Sequence, residues 1–186
     1  TIVFENVDTA TLSAQTVLLV DTLDTETLDL STLEFTSVSF GDKVYNISDR
    51  KSSFFAEIDL PDNPAYMLRV NGYLEEDSGI LKCLFLTIDK STGDLSEDFQ
   101  VGFLPPNIVS PEGQGWLSFT VKQKADLALG TVIENQASIY FDNNEPVITE
   151  PHTNKLDLNP PVSFVDTVEQ TGSNSIQVSL SAVDNE

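Results

Sequence analysis

Side chains that commonly catalyse reactions are scarce in this sequence. His152 is the single histidine and Cys83 the single cysteine. A general base needs a reacting group within hydrogen-bond reach, but His152 lies in a proline-bounded loop with no nucleophile near it in the sequence. Cys83 lies in an apolar segment, where burial raises the pKa of a thiol and leaves it unreactive. No spacing singles out one pair of carboxylates for acid–base work. We therefore predict that the chain is not an enzyme.

Acidic loops offer a second kind of chemistry, the binding of Ca²⁺ through carboxylate, amide and carbonyl oxygens. One candidate group contains Asp142, Asn144 and Glu145, and the other contains Asp21 and Asp24. Neither group matches the calcium loop D-x-[DN]-x-[DN]-G. The alternative for Asp142 and Asn144 is a turn in which short polar side chains bond their own backbone. The alternative for Asp21 and Asp24 is a solvated acidic loop.

Trp116 is the residue whose type suggests carbohydrate binding. Residues 116–122 alternate in polarity, which places Trp116 with Ser118 and Thr120 on the face opposite Leu117. An exposed indole can stack on the apolar face of a sugar while nearby hydroxyl groups bond the sugar hydroxyls, and exposed large aromatics often mark binding surfaces. We predict a glycan site at Trp116, Ser118 and Thr120. The alternative is an aromatic side chain that seals a loop or a neighbouring sheet edge.

The charge of the chain limits its partners. Nine basic residues stand against 30 acidic ones, which gives a net charge of −21, and hydrophobic residues make up 40% of the 186 positions. Such a surface repels nucleic-acid phosphates and anionic lipid headgroups. The apolar content favours a folded chain, the single cysteine excludes an internal disulfide, and no apolar run reaches the length of a membrane span. We expect no binding to nucleic acid and no insertion into a membrane.

Short alternating segments separated by Gly, Pro, Asn, Asp and Ser predict an all-β fold. In residues 80–88 both faces are apolar apart from Lys82, which predicts a central strand covered on each side, joined to its neighbour by a turn at Gly79. Asn135 shares a face with apolar residues and is predicted to be a buried amide. The predicted strands are residues 2–5, 16–20, 33–40, 53–59, 67–74, 80–88, 100–103, 115–122, 132–142, 162–168 and 175–183.

Two consecutive prolines, Pro160 and Pro161, suggest a linker, because proline cannot donate to a sheet ladder and stiffens the backbone. We therefore predict one domain over residues 1–158, followed by a linker and a partial second β module over residues 159–186. A single hairpin is marginally stable alone, which favours the opening strands of a second module over a complete unit. The chain begins at Thr1, so we expect it to be part of a longer polypeptide.

Several stretches of the chain resemble segments of a known family. The clearest is residues 130–147, which fits the pattern G-T-x-I-x-N-x-A-x-I-x-F-D-x-N-x-P. The others are residues 2–6, 21–24, 102–107 and 115–122, in the same order. Over its first 158 residues the chain resembles the conserved-repeat β-sandwich modules of very large secreted bacterial proteins.

This resemblance implies an Ig-like antiparallel β-sandwich followed by the opening strands of a second Ig-like module, in an extracellular or cell-surface protein. It implies a non-catalytic structural spacer or an adhesion or interaction domain, whose partners are the neighbouring domains of the same polypeptide. The alternative is a carbohydrate-binding module, with or without Ca²⁺, attached to a secreted polysaccharide-active enzyme. Its partners would be surface glycans or proteins.

Overall fold

The computed structural model describes residues 1–49, 51–157 and 160–183. These residues form β-strands and no helix, which confirms the all-β prediction. The strands are β1 (Ile2–Glu5), β2 (Thr16–Thr22), β3 (Leu28–Phe40), β4 (Lys43–Asn46), β5 (Ser53–Asp59), β6 (Tyr66–Glu75), β7 (Ile80–Asp89), β8 (Gln114–Gln123), β9 (Val132–Asn135), β10 (Ala137–Phe141), β11 (Val147–Ile148), β12 (His152–Lys155), β13 (Val162–Gly172) and β14 (Ser175–Val183). The described part of the chain contains no helix able to cross a membrane.

Two antiparallel sheets form a β-sandwich. One sheet has the order β1-β8-β3-β4, and the other has the order β11-β10-β2-β7-β6-β5. Aromatic side chains connect them: the ring centroids of Phe4 on β1 and Phe85 on β7 are 5.3 Å apart, and those of Phe35 on β3 and Phe54 on β5 are 5.0 Å apart. Two further short sheets pair β9 with β12 and β13 with β14.

Alternation along β2 shows why these residues form a half-buried strand. Val17, Leu19 and Asp21 point into the core, while the residues between them are half-buried. Successive side chains of a strand point to opposite faces, so one face can join the core and the other can meet water. The same pattern runs along β6 and β8.

The central position predicted for residues 80–88 is confirmed, because β7 lies between β2 and β6. Gly79 has a φ of 72° in the turn that joins β6 to β7. The prediction that both faces are covered is wrong for the outer face. Leu81, Cys83 and Phe85 are buried, but Lys82 and Leu84 on the other face are only half-buried.

Three other differences from the predicted strands have local reasons. The predicted strand at residues 100–103 is irregular, and this segment pairs with the chain before β2 through a single antiparallel bridge between Leu104 and Ala14. Residues 132–142 divide at Gln136 because β9 pairs with β12 while β10 pairs with β2 and β11. The short strands β4, β11 and β12 were not predicted, since too few apolar residues alternate in them.

The chain divides into two compact units. The first consists of residues 1–127 and 133–153, and the second of residues 128–132 and residues from 154 onward. The predicted boundary at residues 158 and 159 lies outside the described residues and stays a prediction. In the second unit, β13 and β14 form the antiparallel pair predicted from the sequence, and every described residue of both strands is exposed.

Candidate functional site

The outer face of the four-stranded sheet carries Trp116. On β8, Trp116 lies directly opposite Val3 of β1 and Ser39 of β3. Ser39 lies in turn opposite Val44 of β4. These four residues therefore form one row across all the strands of the sheet, with the indole between two apolar and exposed valines. We call this outer face, with Trp116, Ser118 and Thr120, the tryptophan face.

A second row of polar residues lies beside the first. Ser118 is opposite Ser37 of β3, and Ser37 is opposite Asn46 of β4. The hydroxyl oxygens of Ser118 and Thr1 are 3.3 Å apart. One further step along β8, Thr120 is opposite Glu34. The structure therefore brings together the three residues predicted for a glycan site, at alternate positions about 7 Å apart along one strand.

The residues of this row differ in exposure. Ser39 is on the outer face, yet it is only 3% exposed, whereas Val3 in the same row is 61% exposed. Trp116, which lies between them, is half-buried. The ring predicted to be exposed for stacking on a sugar is therefore partly covered.

Asp142, Asn144 and Glu145 lie in the turn after β10. Oδ1 of Asp142 accepts hydrogen bonds from the backbone amides of Gln15 (3.0 Å) and Thr16 (2.8 Å), and Asp142 has a φ of 50°. Nδ2 of Asn144 donates to the Phe141 carbonyl oxygen at 2.9 Å. These bonds are those of a turn whose side chains satisfy the backbone. Glu145 is exposed.

Asp24 closes the turn between β2 and β3. Its Oδ1 accepts from the backbone amide of Glu26 at 2.9 Å, and its Oδ2 accepts from the Thr27 hydroxyl at 2.7 Å. The bond from Thr27, followed by the one from Glu26, lowers the pKa of Asp24 because both stabilise the charged carboxylate. Asp24 therefore has a local structural role in the turn.

Asp21 differs from every other carboxylate named so far. It is 1% exposed, and its Oδ2 accepts from Nδ2 of Asn135 at 2.7 Å. Burial raises the pKa of Asp21, and this effect exceeds the lowering by the Asn135 bond. The expectation that Asp21 belongs to a solvated loop is therefore wrong, because the alternation of β2 turns it into the core. Asn135, predicted to be a buried amide, is half-buried as a residue, and its Oδ1 atom is buried.

The two calcium groups lie apart. Asp142 bonds the first residue of β2, Thr16, whereas Asp21 lies five positions further along that strand, about 17 Å away at strand spacing. Among the described residues, no three His, Cys, Asp or Glu side chains are grouped to hold a metal ion. Calcium binding stays a prediction for the exposed carboxylates, since the Asp21 carboxylate faces the core and not solvent.

Cys83 and His152 occupy opposite environments. Cys83 is fully buried in β7, and burial raises the pKa of its thiol well above the usual range. A thiol held in its protonated form is a poor nucleophile. His152 is exposed, but the prediction that it lies in a loop is wrong, because it begins strand β12.

Two side-chain amides with structural roles were not found from the sequence. Nε2 of Gln15 donates to the carbonyl oxygens of Ser96 (3.2 Å), Asp98 (2.7 Å) and Val101 (3.0 Å). Nδ2 of Asn6 donates to the Leu12 and Leu104 carbonyl oxygens, at 3.0 and 2.9 Å. Each amide fixes a segment distant in sequence. Their type and spacing carry no signal of this role.

Comparison with known proteins gives a family but no relative of known activity. No curated protein and no solved structure matches the chain significantly. Residues 1–75 and 85–155 match the family model described as Domain of unknown function (DUF7619). Because these segments include most of the 186 residues, the chain belongs to this family.

Proposed function

We propose that the chain is a non-catalytic, Ig-like β-sandwich module that spaces or displays neighbouring domains of a large secreted or cell-surface bacterial protein. One observation carries this proposal: the side chains that could catalyse a reaction or bind an ion have structural roles in the fold. Cys83 is in the core, Asp24 and Asp142 close turns through backbone amides, and Asp21 is bonded inside the sandwich. The resemblance of residues 130–147 to the closing strand of secreted modules supports the location.

Such a module would act as a rigid spacer and, through its charge, as a solubilising unit. A sandwich whose two sheets share aromatic contacts is a rigid unit, and a net charge of −21 repels neighbouring copies and other acidic chains. The partners are then the adjacent domains of the same polypeptide. The negative surface would keep a long multidomain chain soluble and separated.

Single-molecule pulling tests the spacer proposal. The chain is placed between two reporter domains and stretched, and the sandwich should open in one step that releases about 3.3–3.6 Å per unfolded residue. Phe85→Ala, which removes a ring from the core, should lower the opening force, while Phe55→Ala on an exposed face of β5 should leave it unchanged. A smooth extension without a force peak would contradict the proposal.

A second candidate function is the binding of a neutral glycan on the tryptophan face. The row from Val3 through Trp116 and Ser39 to Val44 favours it, because it combines an aromatic ring with hydroxyl groups in the next row. The net charge of −21 disfavours acidic polysaccharides as ligands.

Binding to an array of neutral polysaccharides tests this second candidate. Trp116→Ala should remove the binding, whereas the matched variant Phe55→Ala removes an exposed aromatic from the other sheet and should keep it. The same array is repeated with Ca²⁺ and with EDTA, which shows whether the ion assists. Equal binding by the wild type and the Trp116 variant, or no binding by the wild type, would overturn the glycan proposal.

A further inference from the structure

The part-buried contact between Asp21 on β2 and Asn135 on β9 leaves two oxygen atoms without a hydrogen bond if Asp21 is ionised. Nδ2 of Asn135 donates to Oδ2 of Asp21 at 2.7 Å. Oδ1 of Asp21 and Oδ1 of Asn135 are both buried and have no hydrogen-bond partner. Buried polar atoms are almost always bonded, so two unbonded oxygens in one contact require an explanation.

One proton accounts for both oxygens. An ionised carboxylate is only an acceptor, and it cannot bond a second acceptor such as an amide oxygen. A protonated carboxyl group has one O–H donor, and a primary amide has both a donor and an acceptor. The two groups can therefore form a ring of two hydrogen bonds, one in each direction.

We propose that Asp21 carries a proton on Oδ1 and donates it to Oδ1 of Asn135, so that a neutral acid–amide ring joins β2 to β9. Nδ2 of Asn135 supplies the other bond, the one observed at 2.7 Å. The ring leaves no unbonded oxygen in the contact and needs no charge in the core. It is lost when Asp21 ionises, so the contact is a pH-sensitive clip.

The surroundings of Asp21 favour the neutral form. Its direct cross-strand neighbours are the apolar residues Leu81 of β7 and Ala137 of β10. Lys82 of β7 lies on the opposite, outward face, and Glu134 of β9 is exposed. Burial raises the pKa of Asp21 by more than the Asn135 bond, the charge of the Thr1 amino group and the backbone hydrogen bond of Thr22 lower it.

The pH dependence of unfolding tests the clip. A group whose pKa is raised in the folded state stabilises the fold below its unfolded pKa, and this stabilisation is lost as the pH rises through the folded pKa. The matched variant is Asp21→Asn, because asparagine can form the same two bonds with Asn135 and cannot ionise. We compare the unfolding equilibrium constants of the full wild-type chain and this variant from denaturant titrations at each pH.

The expected result is a wild-type constant that rises relative to the variant by tenfold per pH unit, starting near the ordinary aspartate pKa of 3.8 and levelling above the folded pKa. Asp24→Asn is the control, since Asp24 has a lowered pKa and its contribution changes with pH in the opposite direction. A ratio that is constant with pH, or that falls as the pH rises, would overturn the clip.

A direct measurement covers the case in which Asp21→Asn does not fold. The carboxyl ¹³C chemical shift of Asp21 in the wild-type chain follows its protonation as the pH changes. A titration midpoint above 3.8 supports the clip. A carboxyl group already ionised at the pH where exposed aspartates ionise contradicts it.

Discussion

The sandwich and the β13–β14 pair differ in burial although both consist of alternating strands. In the sandwich, Val17 and Leu19 of β2 are fully buried. In the second unit, Leu180 of β14 is 70% exposed, and its cross-strand partner Val165 of β13 is exposed as well. The difference teaches that alternation determines which side chains share a face of a strand. Burial requires a second layer over that face.

The apolar face of the β13–β14 pair is nevertheless well defined. Val165 lies opposite Leu180, and Val168 lies opposite Val178, with a register shift at Asp166 between the two pairs. A two-stranded hairpin is at best marginally stable in water. The same kind of substitution should therefore have a large effect in the sandwich and a small one in β13 and β14.

Core truncation should give the largest contrast. Phe85→Ala removes a fully buried ring that contacts Phe4 and Phe103, so the free energy of unfolding should fall by about 3–5 kcal/mol. Leu180→Ala should change it by less than about 0.5 kcal/mol. Denaturant unfolding followed by the fluorescence of Trp116 reports the stability of the first unit in both variants. An equal loss of unfolding free energy in the two variants would contradict the expected difference between the sandwich and the β13–β14 pair.

Glycine substitutions sharpen the comparison at turns. Gly79→Ala introduces a Cβ at a φ of 72° that would collide with the Leu23 carbonyl oxygen, and should cost about 2–3 kcal/mol. Gly93→Ala has a similar φ of 79° but open space, and should cost about 1 kcal/mol. Gly172→Ala in β13 should cost less than either, since its Cβ would be 3.9 Å from Ser175. Melting temperatures rank the three, and any other order contradicts the steric account.

Two glutamines test the same contrast for side-chain amides. Gln15→Ala should lower the free energy of unfolding by about 1–3 kcal/mol, because it leaves the carbonyl oxygens of Ser96 and Val101 without this part-buried donor. Gln170→Ala removes one exposed bond, to the Gly172 carbonyl oxygen, and should have no measurable effect. Hydrogen exchange of residues 96–103 provides a second readout. Unchanged protection there in Gln15→Ala would show that the amide does not hold this segment.

Calcium should have the smallest effect. An ion that binds only the folded state adds about 0.4 kcal/mol at a concentration equal to its Kd, and about 2.7 kcal/mol at a hundred times that concentration. Thermal melts with Ca²⁺ and with EDTA measure this. Glu145→Gln should weaken the shift if the turn after β10 holds the ion, while the matched Glu169→Gln in β13 should not. A melt that does not move with Ca²⁺ would show that the calcium prediction is wrong.

Much of the fold could be predicted because its determinants are local. Alternating polarity predicted the pair of strands joined at Gly79. The same two-residue alternation predicted that Trp116 lies on the outer face of its sheet. Trp116, Ser118 and Thr120 are together because they belong to one strand. Within a single strand, sequence spacing is sufficient to place side chains on a common face.

The features that the sequence did not predict depend on contacts between residues distant in sequence. Asp21 was predicted to be a calcium ligand or part of a solvated loop, but it is buried, and its partner Asn135 is 114 positions away. Gln15 acts on a segment more than 80 positions away. Such pairings are set by sheet order, which alternation alone does not specify. Polar residues with long-range partners were therefore the ones misplaced or missed.

Because of its position, Cys83 is a native probe of the opening of the sandwich. This thiol lies at the middle of β7, directly between Leu19 of β2 and Gly72 of β6, and it is the only cysteine in the chain. Because the thiol is fully buried in the core, a thiol reagent can reach it only when the sandwich opens around β7. The rate of modification therefore reports how often the centre of the larger sheet opens, with no engineered label and no contribution from β13 or β14.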